Sequence, residues 1–274
     1  MNTLESHTLL YDKDCPLCNI YTKVFIDTKM LDAKGRKSFE NISEKEQAYV
    51  DVNRAKDEIA LIDRENKKVI YGLDSLLKVL GNSFPLIEKI GRINVLNFFL
   101  RKLYSFISYN RKVIAPSEIE ENNEKACVPT FNVKYRLLFI FLSVVITAVT
   151  LFSFSNLLEN TPATNYKTEL ILASVQLVFQ ALFILGKGIK TTLNYWGNLM
   201  TVSLIGCVGL TQILILNSIV SLPEFLNLLS FFGVVLLMFF EHKKRVKLLK
   251  LPSLLTLTWV VYRLLALVFV LNLI

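Results

Sequence analysis

The chain has 274 residues, room for two domains, and its 53% hydrophobic content and mean hydropathy of +0.44 exclude an ordinary soluble protein. The formal net charge of +8 is unevenly placed: residues 1–133 carry 20 Lys+Arg against 19 Asp+Glu, and residues 134–274 carry 11 against 4. The basic surplus therefore flanks apolar segments and forms no aromatic-interleaved stripe on the polar half, so nucleic acid is not an expected partner.

In chain order, the apolar run Thr8–Tyr11 reads as a buried strand, and it feeds Asp12-Lys13-Asp14-Cys15-Pro16-Leu17-Cys18. Pro16 suits the first turn of a helix, where its missing N–H costs nothing. Cys15 and Cys18, three apart, then share a helix face. The unpaired N–H groups and positive dipole end there favour a thiolate. Cys15, at the helix end, is the better nucleophile, and Cys18 the resolving partner. Asp12 is placed either to relay a proton to or from Cys18 or to make a structural hydrogen bond, and Asp14 to cap the helix. Both carboxylates oppose the thiolate, with Lys13 and Lys23 as partial offsets. Two other readings stand beside redox chemistry, a packed thiol pair and half of a zinc site. Zinc needs two further ligands, yet there is no second Cys-x-x-Cys and the histidines are His7 and His242 alone. No metal or cofactor is expected.

The first helix is expected from Cys15 to about Met30, with Ile20, Val24 and Phe25 inward, and a second strand over Lys37–Ile42. Ser43-Glu44-Lys45-Glu46 is a capping box. Glu58–Ile62 and Lys68–Tyr71 read as an antiparallel hairpin, Leu73–Leu80 as an amphipathic helix and Pro85–Val113 as helical. The order β-α-β-α-β-β-α is thioredoxin-like, although no proline lies between Pro16 and Phe84 to supply the cis-proline of thioredoxins. Tyr104 reads as core, and Asn110 and Arg111 either brace the site or merely fix the last helix, a surface salt bridge being the more frequent role of such an Arg. Ser117–Glu124 is an acidic linker.

Asp12-x-x-Cys15-x-x-Cys18 resembles the signature of the DCC family of predicted thiol-disulfide oxidoreductases. The likeness extends through Glu58–Asp63, Lys68–Gly72, Asp74–Leu77, Leu103-Tyr104 and Asn110-Arg111, roughly Leu9 to Arg111. It implies a redox-active dithiol domain acting on a thiol or disulfide that the sequence does not name.

Five long apolar segments follow: Leu137–Leu158, Leu170–Ile189, Leu199–Leu222, Phe225–Phe240 and Leu254–Ile274. Four reach the ~20 residues a crossing needs, the fourth segment being the short one. The expected architecture is an α/β thioredoxin-like domain over residues 1–115, a linker over 116–133 and an all-α transmembrane bundle of about five helices over 134–274, with the lipid bilayer as partner. Lys125, Lys134 and Arg136, then Lys187 and Lys190, then the loop His242–Lys250 fall on one side and Lys167 on the other. The positive-inside rule thus places the amino-terminal domain in the cytoplasm and Ile274 outside. Met1–Leu10 does not read as a signal peptide. Arg263 lies deep in the last segment, with Gln176, Gln180 and Gln212 as candidates to surround it. Cys207 is the one cysteine of the membrane segments, against an embedded redox pair. The function expected is a membrane-anchored, cytoplasm-facing thiol-disulfide oxidoreductase. The alternative is a non-enzymatic membrane protein whose soluble domain senses redox state or assembles partners.

Overall fold

The computed structural model describes residues 2–117, 127–159 and 164–272, in two compact units, Met1–Tyr135 and Arg136–Ile274. Most of the expected acidic linker, with Lys125, and the terminal Ile274 lie outside the described residues.

The amino-terminal unit is built on a four-stranded sheet of order β2-β1-β3-β4, with β1 at His7–Tyr11, β2 at Arg36–Ser38, β3 at Ala60–Asp63 and β4 at Lys68–Tyr71. β1 runs parallel to β2 and antiparallel to β3, and β3 antiparallel to β4. Side chains alternate across a strand, so each face of the sheet gets its own core. Leu9 and Leu61 pack with Phe25 and Val79 on one face. Leu10, Ala60 and Ile62 pack with Phe39 and Val50 on the other. Covered on both sides, β1 reads as a continuous apolar run rather than an alternating one. The crossover α1 (Pro16–Asp27) joins the parallel pair, giving the thioredoxin-like arrangement.

Two expectations are corrected here. The second strand stops at Ser38 and continues as a 3-10 turn over Phe39–Asn41, because the pairing Tyr11↔Ser38 is the last that β1 offers. On α1, Phe25 is buried as expected, but Ile20 and Val24 are exposed; Cys18 and Thr22 complete the inward stripe. Starting the helix at Pro16 fixes that phase, and the helix ends before Met30 because Lys29 adopts φ 58°.

The capping box forms at Ser43 and opens α2 (Glu44–Gln47). A further helix, α3 (Val52–Asp57), begins at Asp51, whose side chain accepts from Arg54 N–H at 3.0 Å. The hairpin turn is tied by Asp63 Oδ1, which accepts from the N–H groups of Glu65 and Asn66. α4 spans Leu73–Ser83, and the expected helical stretch divides at Arg92 and Ile93 into α5 (Pro85–Gly91) and α6 (Asn94–Ile114). Gly72 enters α4 at φ 64°, and a Cβ there would come within 2.9 Å of Glu58 Oε2. Beyond α6, in the stretch expected as linker, Cys127 joins the Phe39 core and Thr130 binds Asp57 through its N–H (2.6 Å) and hydroxyl (2.8 Å).

The carboxyl-terminal unit is helical: α7 (Val133–Ser155), α8 (Tyr166–Ala181), α9 (Ile189–Ile219), α10 (Glu224–Leu248) and α11 (Leu254–Leu271). Four of them, α7, α9, α10 and α11, are long and apolar enough to cross a membrane. The short helix is α8, with 16 residues, whereas α10 has 25, reversing the expectation for the fourth segment. α9 starts ten positions before its apolar run because Gly188, at φ 83°, ends one turn and opens the next helix through Lys190 and Thr192. His242 and Arg245 are not in a loop. They lie on α10, buried, with His242 Nε2 3.0 Å from Tyr195 Oη and Arg245 Nη1 donating to Asn198 Oδ1 at 3.0 Å. Gln176 lines a cavity of about 290 Å³ together with Arg263, Glu169 and Cys207. Gln180 instead accepts from Tyr195 and Thr258, and Gln212 is exposed.

Candidate functional site

At the end of β1, Asp12 turns the chain into α1. Its carbonyl accepts from Cys15 N–H at 3.2 Å and its Oδ1 accepts from Asp14 N–H at 3.1 Å. Cys15 is the N-cap residue in extended conformation, Pro16 opens the helix, and Cys18 follows within its first turn. Asp14 is therefore not the cap expected of it. Cys15, with no exposed surface, and Cys18 are both buried free thiols.

Burial by itself would push both thiols up, so what lowers Cys15 must be local. The thiol of Cys18 donates toward the Cys15 sulfur, and so does the Cys18 backbone N–H, one of the donors that a helix start leaves without a carbonyl partner. Together they bring Cys15 down to about 6 against the opposing effects of burial and Asp12, with Arg111 adding a smaller pull in the same direction. Cys18, which supplies the hydrogen bond, is pushed up by that bond and by burial. One sulfur is poised as thiolate and its neighbour holds the proton.

The charges around the pair come from α6, not from Lys13, which pairs with Glu40 at 2.7 Å. Asp12 is buried, with Lys112 Nζ 2.9 Å and Arg111 Nη2 3.8 Å from its Oδ2. Arg111 is buried rather than at the surface. Its Nη2 donates to the Lys56 carbonyl at 2.7 Å and the Cys127 carbonyl at 3.2 Å, and its Nη1 to Ser108 Oγ at 3.2 Å. Three polar groups at helical spacing, Tyr104, Ser108 and Arg111, thus face the domain. The Tyr104 hydroxyl accepts from Ile59 N–H at 2.8 Å, and Ser108 Oγ donates to the Asp57 carbonyl. Burial pushes the Tyr104 phenol up to about 12.

Beside the pair lies a cavity of about 360 Å³. Cys18, Asp12, Tyr21, Tyr104, Arg111 and Cys127 contribute to its wall, and the remainder is mostly apolar. Burial pushes the Cys127 thiol up to about 12, partly offset by Arg111, so this third sulfur is held protonated. Lys112 and Cys127 are the site residues that sequence reasoning missed. Cys127 carries no motif, and Lys112 adjoins the Asn110-Arg111 pair, for which bracing the site is one of the two sequence readings. Among the described residues no group of three or more His, Cys, Asp or Glu could hold a metal ion.

A dithiol at the start of the crossover helix of a thioredoxin-like sheet, one sulfur lowered and the other raised, is an arrangement suited to thiol–disulfide exchange. Residues 9–115 match the family model described as DCC1-like thiol-disulfide oxidoreductase, and helices apolar enough to span a membrane follow them. No curated protein and no solved structure matches the chain.

Proposed function

We propose that the protein is a membrane-anchored thiol-disulfide oxidoreductase whose dithiol, Cys15 and Cys18, faces the cytoplasm. The observation that carries this reading is the opposed bias of the two thiols, Cys15 toward thiolate and Cys18 toward thiol. The Cys15 thiolate attacks one sulfur of a substrate disulfide. A mixed disulfide forms, the substrate S–S bond breaks, and the departing thiolate takes up a proton. Asp12 accepts the proton of Cys18, whose thiolate attacks Cys15 Sγ and releases the second substrate thiol. The protein is left with a Cys15–Cys18 disulfide, two electrons having passed to the substrate, and an external dithiol restores it. A largely apolar cavity lies beside the resolving Cys18.

In this reading residues 1–115 form the thiol domain, 116–133 carry Cys127 back onto it, and 134–274 form the anchor. With α8 counted as a crossing there are five spans, which leaves the amino-terminal domain inside and the carboxyl terminus outside.

The test uses the full chain in detergent with oxidised glutathione as substrate and thiol release as readout. Cys15→Ser abolishes exchange. Cys18→Ser accumulates a glutathione adduct on Cys15, visible by mass. Unchanged turnover in either variant refutes the assignment. One observation favours a sensor instead: Cys15 has no exposed surface. For a sensor, the wild-type chain would oxidise to the internal disulfide yet fail to turn over.

A further inference from the structure

α6 is amphipathic in an unusual sense. The stripe that faces the domain is largely polar, with the apolar Val113 buried near its end, and its polar groups have partners there, Arg101 from a half-exposed position. Asn97 Nδ2 donates to the Gly91 carbonyl (2.8 Å), Arg101 Nη2 to both Asp74 oxygens (2.8 and 2.7 Å), and Tyr104, Ser108 and Arg111 bond as described above. Its exposed apolar residues point the other way. Val95 is 69% exposed, Phe98 58%, Phe99 63% and Leu103 53%. Their spacing of three and four residues makes one stripe along the helix.

The same exposure continues onto α5 and the bend between the helices, at Leu86 (68%), Ile90 and Ile93. A contiguous apolar surface with two adjacent phenylalanines is not the default exterior of a soluble domain, because water contact with it is costly. What covers it is indicated by two independent features. First, residues 85–114 hold six Lys and Arg against one acidic residue, Glu88. Of these, Lys89 and Lys102 sit exposed beside the apolar stripe, Lys102 Nζ lying 5.6 Å from the Phe98 ring centre. Long basic side chains bordering an aromatic stripe match the acyl–headgroup boundary of an anionic bilayer, with rings below and ammonium groups at the phosphates. Second, a helix apolar enough to cross a membrane begins at Val133, shortly after α6 ends at Ile114. The chain is thereby tethered to a bilayer at high effective concentration, so even a weak surface would be engaged.

We propose that the outward face of α5 and α6 rests in the headgroup region of the bilayer that the carboxyl-terminal helices span, with Phe98 and Phe99 as anchors and Lys89 and Lys102 contacting anionic lipid. The amino-terminal domain is then a monotopic surface as well as a tethered one. This holds whether or not the dithiol turns over.

The experiment places a benzophenone amino acid at position 98 of the full chain, one copy per nanodisc, in phosphatidylcholine with or without phosphatidylserine. A control chain carries it at Asn66, in the exposed β3–β4 turn. After irradiation, peptide mass spectrometry reads the lipid adduct. The expected result is phospholipid attached at position 98 and not at 66. In phosphatidylserine discs Lys89→Glu and Lys102→Glu each lower the yield roughly fivefold, and in pure phosphatidylcholine they leave it unchanged. Equal yields at 98 and 66, or only protein–protein adducts at 98, overturn the proposal. A yield insensitive to both lysine substitutions overturns its anionic-lipid part.

Discussion

Lys112 Nζ lies 2.9 Å from Asp12 Oδ2, which ties the last turn of α6 to the strand end that feeds the cysteine turn. Arg111, beside it, reaches the same carboxylate at 3.8 Å from a more deeply buried position. A buried carboxylate is tolerated only with such partners, and a variant that loses Arg111 keeps Lys112 beside Asp12 but takes the buried donor from the Lys56 and Cys127 carbonyls. Arg111→Leu is expected to destabilise the amino-terminal domain by about 1–3 kcal/mol for each buried carbonyl left without a donor. It also withdraws a cation from Cys15, whose thiol rises. Asp12→Asn acts oppositely on that thiol, because the Asp12 charge pushes it up. Urea unfolding gives the first quantity, and alkylation against pH the second. A shift of the same sign in both variants would contradict this electrostatic account.

Alkylation by iodoacetamide reports the thiolate fraction. The first proton of the pair should leave near pH 6, from Cys15. Cys18→Ala removes the thiol hydrogen bond, the larger of the two, keeps the backbone N–H, and should move the midpoint up toward the ordinary thiol value of about 8.5. Cys127, with its thiol pushed up to about 12, should label only after unfolding.

The same shifts make stability depend on pH. Cys15 has a lowered value in the folded state, so its contribution is complete above the unfolded value of about 8.5 and is lost as pH falls through about 6. Cys18 has a raised value, so its contribution is present below about 8.5 and declines as pH rises beyond it. Stability from the pair therefore climbs between pH 6 and 8.5 and falls above. Chemical unfolding at several pH values should show that maximum in the wild type, and Cys15→Ala should flatten the rise.

Two substitutions probe the frame around the site. Leu61→Ala, in the central strand β3 and fully buried, is expected to cost about 2–5 kcal/mol. Gly72→Ala puts a Cβ against Glu58 at a left-handed position, at about 1–2 kcal/mol for the backbone alone. Both should lower the unfolding midpoint. A neutral Gly72→Ala would mean that α4 can start elsewhere.

The membrane arrangement is tested by labelling single cysteines at positions 167, 244 and 272 in a chain whose native cysteines are serine. With five crossings, an impermeant maleimide applied to intact cells should react at 167 and 272 and spare 244. Reaction at 244 from outside would reject the orientation. If α8, at 16 residues, does not cross, 167 stays reactive, while 244 becomes reactive and 272 is protected.

The amino-acid sequence by itself determined whatever depends on near neighbours in the chain. The Cys-Pro-x-Cys helix start, the Ser43 capping box, the β3–β4 hairpin and the apolar lengths of α7 and α11 follow from spacing and periodicity, because turn chemistry and side-chain period are local properties. The tertiary structure decided the partners and the phase. It set which stripe of α1 is buried, bringing in Cys18 and Thr22 where Ile20 and Val24 had been expected. It took Arg111 and Lys112 inside to meet Asp12, and it packed Cys127 into the Phe39 core. It likewise buried His242 and Arg245, which read as a basic loop, on α10. Each of these is a meeting of residues far apart in the chain. A charge reads as exposed until the fold supplies the carboxylate or carbonyl that makes its burial affordable. The inverted α6 shows the same limit: its apolar stripe is plain in the sequence, but only the packed polar stripe on the other side reveals which way it faces.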